Sequence, residues 1–184
     1  MTSLEHCQIR DSKVISNRAF ALLVMALKGE GLEQEHIKKV VEAKNINSLS
    51  ARETIVYHHE NLSDGDRAYA TWRYESLYVL LWALGKMDSL KYPNEICDVP
   101  AIVEAIFKPE RADFEASIQI RSSKEILDEL DKIYRMNWAC VDARIKGMQV
   151  SGNINSSIVY ERHYALNWLI LYQNQDWDNV QTNT

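Results

Sequence analysis

What most constrains this chain is where it carries no helix breakers. Its three prolines, Pro93, Pro100 and Pro109, fall in one short region. Its six glycines stand at the ends of long stretches that contain neither residue. Inside a helix, glycine costs about 1 kcal/mol and proline about 3 kcal/mol relative to alanine, so such stretches are free to be helical. Within them apolar residues recur at helical spacing. No run shows the alternation of a half-buried strand, and no Asn-Gly pair joins two β-rich runs. The expected fold class is all-α.

Capping residues place the individual helices. Residues 12–28 follow Asp11, an N-cap, and stop at Gly29. Residues 33–44 form a second helix. A third opens at "SARE", where Ser50 and Glu53 have capping-box spacing. A fourth covers residues 66–84 and stops at Gly85. Its part "SLYVLLWAL" is apolar on every side, as in a central helix. Residues 86–116 hold all the prolines and read as a loop, a short helix after Asp98 with Pro100 in its first turn, and another loop. A sixth helix opens at "SSKE", with Ser122 and Glu125 as a second capping box, and ends near Gly147. A seventh, residues 156–173, is apolar nearly all round. The prediction is a single compact helical domain, residues 1–184, of about six or seven helices. The helices at 66–84, 122–147 and 156–173 lie at its centre, and residues 1–8 form a flexible lead.

One local echo stands out: "IRDSKVI" from Ile9 and "IRSSKEI" from Ile120. Each precedes a long helix, as a shared device with a hydrophobic residue ahead of a capping Asp or Ser. On this reading nothing beyond these seven residues repeats.

Length and charge bound the function. A chain of 184 residues suits one domain that buries enough surface to fold without a disulfide or metal. Lys and Arg number 21 against 26 Asp and Glu, a net charge of -5 that disfavours general nucleic-acid binding. Cys7, Cys97 and Cys140 are far apart and form no CxxC, which suggests reduced thiols in the cytoplasm. The start, "MTSLEHCQIRDSK", lacks the apolar core of a signal peptide. The longest apolar stretches fall far short of the roughly 20 residues that span a bilayer, so no membrane partner is expected.

The helix at 156–173 carries Glu161, Arg162 and His163 side by side in an otherwise apolar segment. Successive residues turn by about 100°, so the three fan over more than half the helix and cannot all face solvent. A buried charge needs a partner, here from another helix. Arg73 and Glu75 stand just before the apolar part of the fourth helix. Asp131, Arg135 and Asp142 line one flank of the sixth. The expected packing face of that helix is Leu127, Leu130, Tyr134, Trp138, Val141 and Ile145. Trp82, Trp138 and Trp168 are expected in the core.

Three uses of these residues are open. They can be an ion-pair network that ties core helices together. They can line a pocket for a small anionic ligand, with Arg73, Glu75, Arg135, Asp142 and Arg162 joined by Trp72 and Asn167. Or Glu161 or His163 can act as a general base, though no nucleophile motif accompanies either. A metal is not expected: of His6, His36, His58, His59 and His163, no two lie three or four apart. No cofactor is expected, since no phosphate-binding glycine loop is present. The acidic charge, five Trp and nine Tyr suit a soluble protein-interaction module without catalytic activity. The alternative is a binder or enzyme using a polar pocket between the fourth, sixth and seventh helices. The partner is then an unknown protein or a small anionic ligand, and the sequence sets no oligomeric state. The closing "DWDNVQTNT" is expected to dock through Trp177, with Asp178 reaching Arg73, Arg135 or Arg162.

The segments "IRDSKVISNRA", "WRYESLYVLLWALG", "IRSSKEILDELDKIYRMNWACVDAR", "YERHYALNWL" and "DWDNVQT" resemble, in this order and spacing, a bacterial family catalogued as domain of unknown function 4272. The likeness runs from about Ile9 to the C-terminus. Asp11 stands where the family usually has Ser, and Asn183 where Asp is usual. The resemblance implies a compact helical protein with no assigned activity.

Overall fold

The structure, a computed structural model, describes residues 8–183. The expected lead at residues 1–8 lies outside the described residues except for Gln8. Eight α-helices and no strand occur among the described residues. They are α1 (Ser12–Gly29), α2 (Gln34–Ala43), α3 (Ala51–His58), α4 (Asp64–Ala83), α5 (Val99–Phe107), α6 (Arg111–Ala116), α7 (Ser123–Ile145) and α8 (Ser156–Leu169). No helix among the described residues is long and apolar enough to cross a membrane.

The caps act where the sequence placed them. Asp11 accepts from the backbone of Lys13 at the head of α1. Ser50 with Glu53, and Ser122 with Glu125, form complete capping boxes on α3 and α7. Asn155 caps α8 through the N–H groups of Ser157 and Ile158. One helix was not expected. α6 occupies residues read as loop, and the count is therefore eight rather than six or seven. No side chain caps its start, and it is only 6 residues long. It is held by tertiary contact, with Phe114 packing edge-on against Phe20 of α1 at 5.2 Å between ring centroids.

The main helices pack in the order α1, α4, α8, α7, each against the next. α2 and α3 close on α1, and α5 on α4. α1 is enclosed on every side, with an almost unbroken run of buried residues from Ile15 to Gly29. Gly29 permits its close approach to α4, since a Cβ there would stand 2.6 Å from the backbone nitrogen of Thr71.

The packing of α7 corrects the expected face. Its buried residues are Ile126, Ile133, Asn137, Cys140 and Ala143. Tyr134, Trp138 and Ile145 point to solvent, with Trp138 55% exposed. The helix carries two apolar stripes but packs extensively only on α8, so one stripe is left over. Trp82 and Trp168 are buried as expected.

Candidate functional site

The second half of α4 and nearly all of α8 are apolar on every side, so the polar residues they carry there are forced inside. Arg73, Glu75 and Ser76 on α4, and Glu161 and Arg162 on α8, are all buried. They satisfy each other across the interface. Arg73 Nη2 donates to Glu161 Oε1 at 2.8 Å, and Arg162 Nε to Glu75 Oε2 at 3.0 Å. Ser76 Oγ donates to the second Glu161 oxygen at 2.9 Å. The second Glu75 oxygen accepts from the Cys97 backbone at 2.6 Å. Arg162 Nη1 also donates to the Lys91 carbonyl, while its Nη2 has no partner. Two cations meet two anions, so the buried charge sums to zero. Burial pushes the Glu161 carboxyl up, and Arg73 opposes that shift.

The two helices also repeat one pattern. Tyr74, Glu75, Tyr78, Leu80 and Trp82 of α4 recur in the same spacing as Tyr160, Glu161, Tyr164, Leu166 and Trp168 of α8. Contacts recur with the residues. Each glutamate takes the arginine of the other helix. The Arg162 guanidinium lies 5.3 Å from the Tyr78 ring, and that of Arg73 lies 5.7 Å from Tyr164. Tyr78 Oη donates to the Ser89 carbonyl and Tyr164 Oη to the Trp177 carbonyl, each holding the chain that leaves its helix. The chain turns left-handed just past both helices, at Gly85 (φ 73°) and Leu171 (φ 56°). Gly85 cannot carry a side chain, because a Cβ would meet the Gln119 carbonyl at 2.4 Å.

The sequence echo closes the same two helix ends. Arg10 donates through Nε to the Trp168 carbonyl at 2.7 Å and through its backbone N–H to Leu169 at 2.9 Å. Its guanidinium lies 4.4 Å from the Trp168 ring. Arg121 does the same to α4. It reaches the Trp82 carbonyl at 2.9 Å and the Ala83 carbonyl at 2.9 Å, with its guanidinium 4.9 Å from the Trp82 ring. A cation that bonds the last carbonyls of a helix also opposes its dipole. The repeat is therefore longer than seven residues. It joins α1 with α4 and α7 with α8, and it was hidden because the spacings between its two parts differ.

The remaining polar residues of α8 hold the C-terminal segment. Asn167 Nδ2 donates to the Gln181 carbonyl at 2.8 Å, and Asn137 Nδ2 of α7 to the Thr182 carbonyl at 3.2 Å. Asn137 also meets His163 Nδ1 at 3.1 Å. With the amide donating, that nitrogen accepts and the ring is neutral, and burial lowers its pKa to about 4. Trp177 is buried edge-on against Tyr164 and Trp168, at 5.1 and 5.5 Å between centroids. Asp178 reaches none of Arg73, Arg135 or Arg162, which corrects the expected contact. Its Oδ2 accepts from the backbone N–H of Arg52 at 3.0 Å, in the first turn of α3. A helix start offers unpaired N–H groups and a positive dipole end, whereas Arg73 and Arg162 already have partners.

The predicted site residues thus divide. Arg73, Glu75, Glu161 and Arg162 come together. His163 and Asn167 sit beside the C-terminal segment. Arg135 and Asp142 stand apart on the outer side of α7, where Arg135 pairs with Asp131 at 2.9 Å and Asp142 with Lys146 at 2.8 Å. Trp72 is half-buried at a cleft of about 710 Å³, which Asn137, Cys140, Arg144, Tyr160 and Glu161 also line. One buried pair was missed, Arg18 of α1 with Glu53 of α3. Its signal was an arginine inside the apolar run of α1. Among the described residues no group of three or more His, Cys, Asp or Glu is placed to hold a metal ion.

Chemically, the α4–α8 cluster is occupied with itself. Both oxygens of Glu161 accept hydrogen bonds within it, from Arg73 and Ser76. These features define a class: an all-α domain whose two inner helices exchange buried ion pairs. The chain belongs to the family described as domain of unknown function DUF4272, whose model matches residues 1–180. No curated protein and no solved structure matches it.

Proposed function

We infer that this chain is a helical protein-interaction module without catalytic activity, and that it docks through the outer face of α7. The observation that carries this is the stripe of Tyr134, Trp138 and Ile145, which are 43%, 55% and 78% exposed. Large aromatic and aliphatic side chains left together in water mark a contact surface, and Trp and Tyr are enriched among the residues that dominate binding. The interior supports the same reading, since its charges are spent on each other. The test is a photo-cross-linking amino acid placed at position 138 in cells, with position 38 on α2 as the control. Adducts from 138 and none from 38 are expected. No adduct from 138 removes the reading.

A second reading rests on the cleft beside Glu161. Trp72, Tyr160 and Arg144 line it together with a carboxyl that burial has pushed up. Perturbed carboxyls in clefts are candidates for ligand contact. A small anionic ligand would there be met by Arg144. A thermal-shift screen of anions and metabolites on the wild type and on Arg144→Ala tests it. A shift seen in the wild type and lost in the variant favours the cleft.

A further inference from the structure

The repeat leaves one helix without its cover. Aligning "IRDSKVI" with "IRSSKEI" sets Ile15 against Ile126 and Leu22 against Ile133, the inward residues of α1 and α7. The same alignment sets Leu23 against Tyr134 and Leu27 against Trp138. On α1 this face is enclosed: α2 and α3 pack on the helix, and Leu23 is fully buried. Between α7 and α8 no helices like α2 and α3 intervene, only a short connection with a 3-10 turn at Ser151–Asn153. The face that α1 buries is therefore open on α7.

The open face has the spacing of a helix-pairing seam. Leu127, Asp131, Tyr134, Trp138, Val141 and Ile145 follow one another in alternating steps of four and three. The seam is turned about 100° from the face that packs on α8. Along its flank stand Asp128, Arg135 and Asp142, seven residues apart and alternating in sign. Such flanking charges set partner and orientation when helices pair.

Building on the docking face inferred above, we propose that its occupant is a second copy of this chain, with α7 antiparallel to α7 about a two-fold axis between Trp138 and Val141. A two-fold contact joins the same patch of both copies, so each contact occurs twice. Trp138 of each copy packs on Val141 of the other, and Tyr134 on Ile145. Ile145 then lies over the groove of about 330 Å³ that Leu127, Leu130, Tyr134 and Ile170 line. Arg135 of each copy meets Asp142 of the other. Asp131, the polar break in the seam, falls toward the rim beside Arg135. A parallel pairing would offer these two charges only Leu130 and Asn137. An antiparallel pairing shifted toward the N-terminus would match charges through Asp128, but would bring Asp131 to the centre and leave Ile145 in water.

Sedimentation equilibrium on the full chain tests the proposal. The wild type should have about twice the single-chain mass of 21.3 kDa. Arg135→Asp and Asp142→Arg should each weaken pairing roughly tenfold, because two related contacts turn from attraction to repulsion. Mixing those two variants should restore a one-to-one dimer, since each then faces opposite charge. Trp138→Arg should be monomeric with unchanged circular dichroism. A wild type that stays at single-chain mass up to its solubility limit overturns the second copy as occupant. So do charge variants that pair as well as the wild type. Cross-links from position 138 to a different protein would then leave the docking face standing, and their absence would remove both.

Discussion

Glu161 of α8 takes Arg73 of α4 at 2.8 Å, with both side chains almost wholly out of water. The bond has a counterpart in Arg162 and Glu75, so the two helices trade charges in both directions. Removing one partner of such a pair leaves a buried charge unmatched, which costs about 3–5 kcal/mol. Glu161→Gln and Glu75→Gln should each lose stability on that scale in urea unfolding. Replacing both partners together, as Arg73→Met with Glu161→Leu, should recover much of the loss. Single variants that cost under about 1 kcal/mol would show the pairs to be solvated.

The tryptophans separate core from surface. Trp168 is buried between Arg10 and Trp177, and Trp168→Ala should cost about 3–5 kcal/mol. Trp138→Ala, in dilute protein, should stay within about 0.5 kcal/mol of the wild type, as exposed substitutions do. Thermal unfolding of the two variants side by side reads the difference.

Deleting residues 177–184 removes the buried Trp177 ring and strands the amides of Asn137 and Asn167. The loss should exceed about 2 kcal/mol, from a vacated aromatic site and unsatisfied buried donors. An unchanged melting temperature would mean that the segment only rests on the surface.

His163 makes stability depend on pH. Burial lowers its pKa from 6.5 to about 4, so the unfolded chain takes up a proton at a higher pH than the folded chain. Its neutral ring costs nothing above that range. Stability should fall as pH drops from 6.5 toward 4 and then level off, by on the order of 2–3 kcal/mol. Glu161, with its pKa raised, works in the opposite sense. His163→Gln isolates the histidine and should flatten that limb. An imidazole NMR titration with its midpoint near 6.5 would refute the burial effect.

Much of the fold was legible because helix starts are written in short polar signals. Asp11, Ser50 with Glu53, and Ser122 with Glu125 each cap the helix expected of them. α6 was not legible, since Phe114 on Phe20 holds it and no cap announces it. The inward face of α7 was misjudged for a related reason. Its outer stripe holds more large apolar residues than the inner one, where Asn137 and Ala143 lie. The contact of Asn137 with His163 and Thr182 helps fix which way the helix turns. Within the site, spacing named Arg73, Glu75, Glu161 and Arg162 as buried charges but could not pair them across helices. It also could not show that Asp178 would serve a backbone amide rather than a side chain.

The inferred docking face is the outer side of α7, away from the polar interior. Fluorine NMR of protein labelled with 5-fluorotryptophan tests this most directly, because the chain has 5 tryptophans and each reports its own surroundings. Across a dilution series the Trp138 resonance, assigned with Trp138→Phe, should shift as concentration rises, while those of Trp82, Trp168 and Trp177 stay in place. A Trp138 resonance that remains at its solvent-exposed position at every concentration would contradict self-pairing through α7.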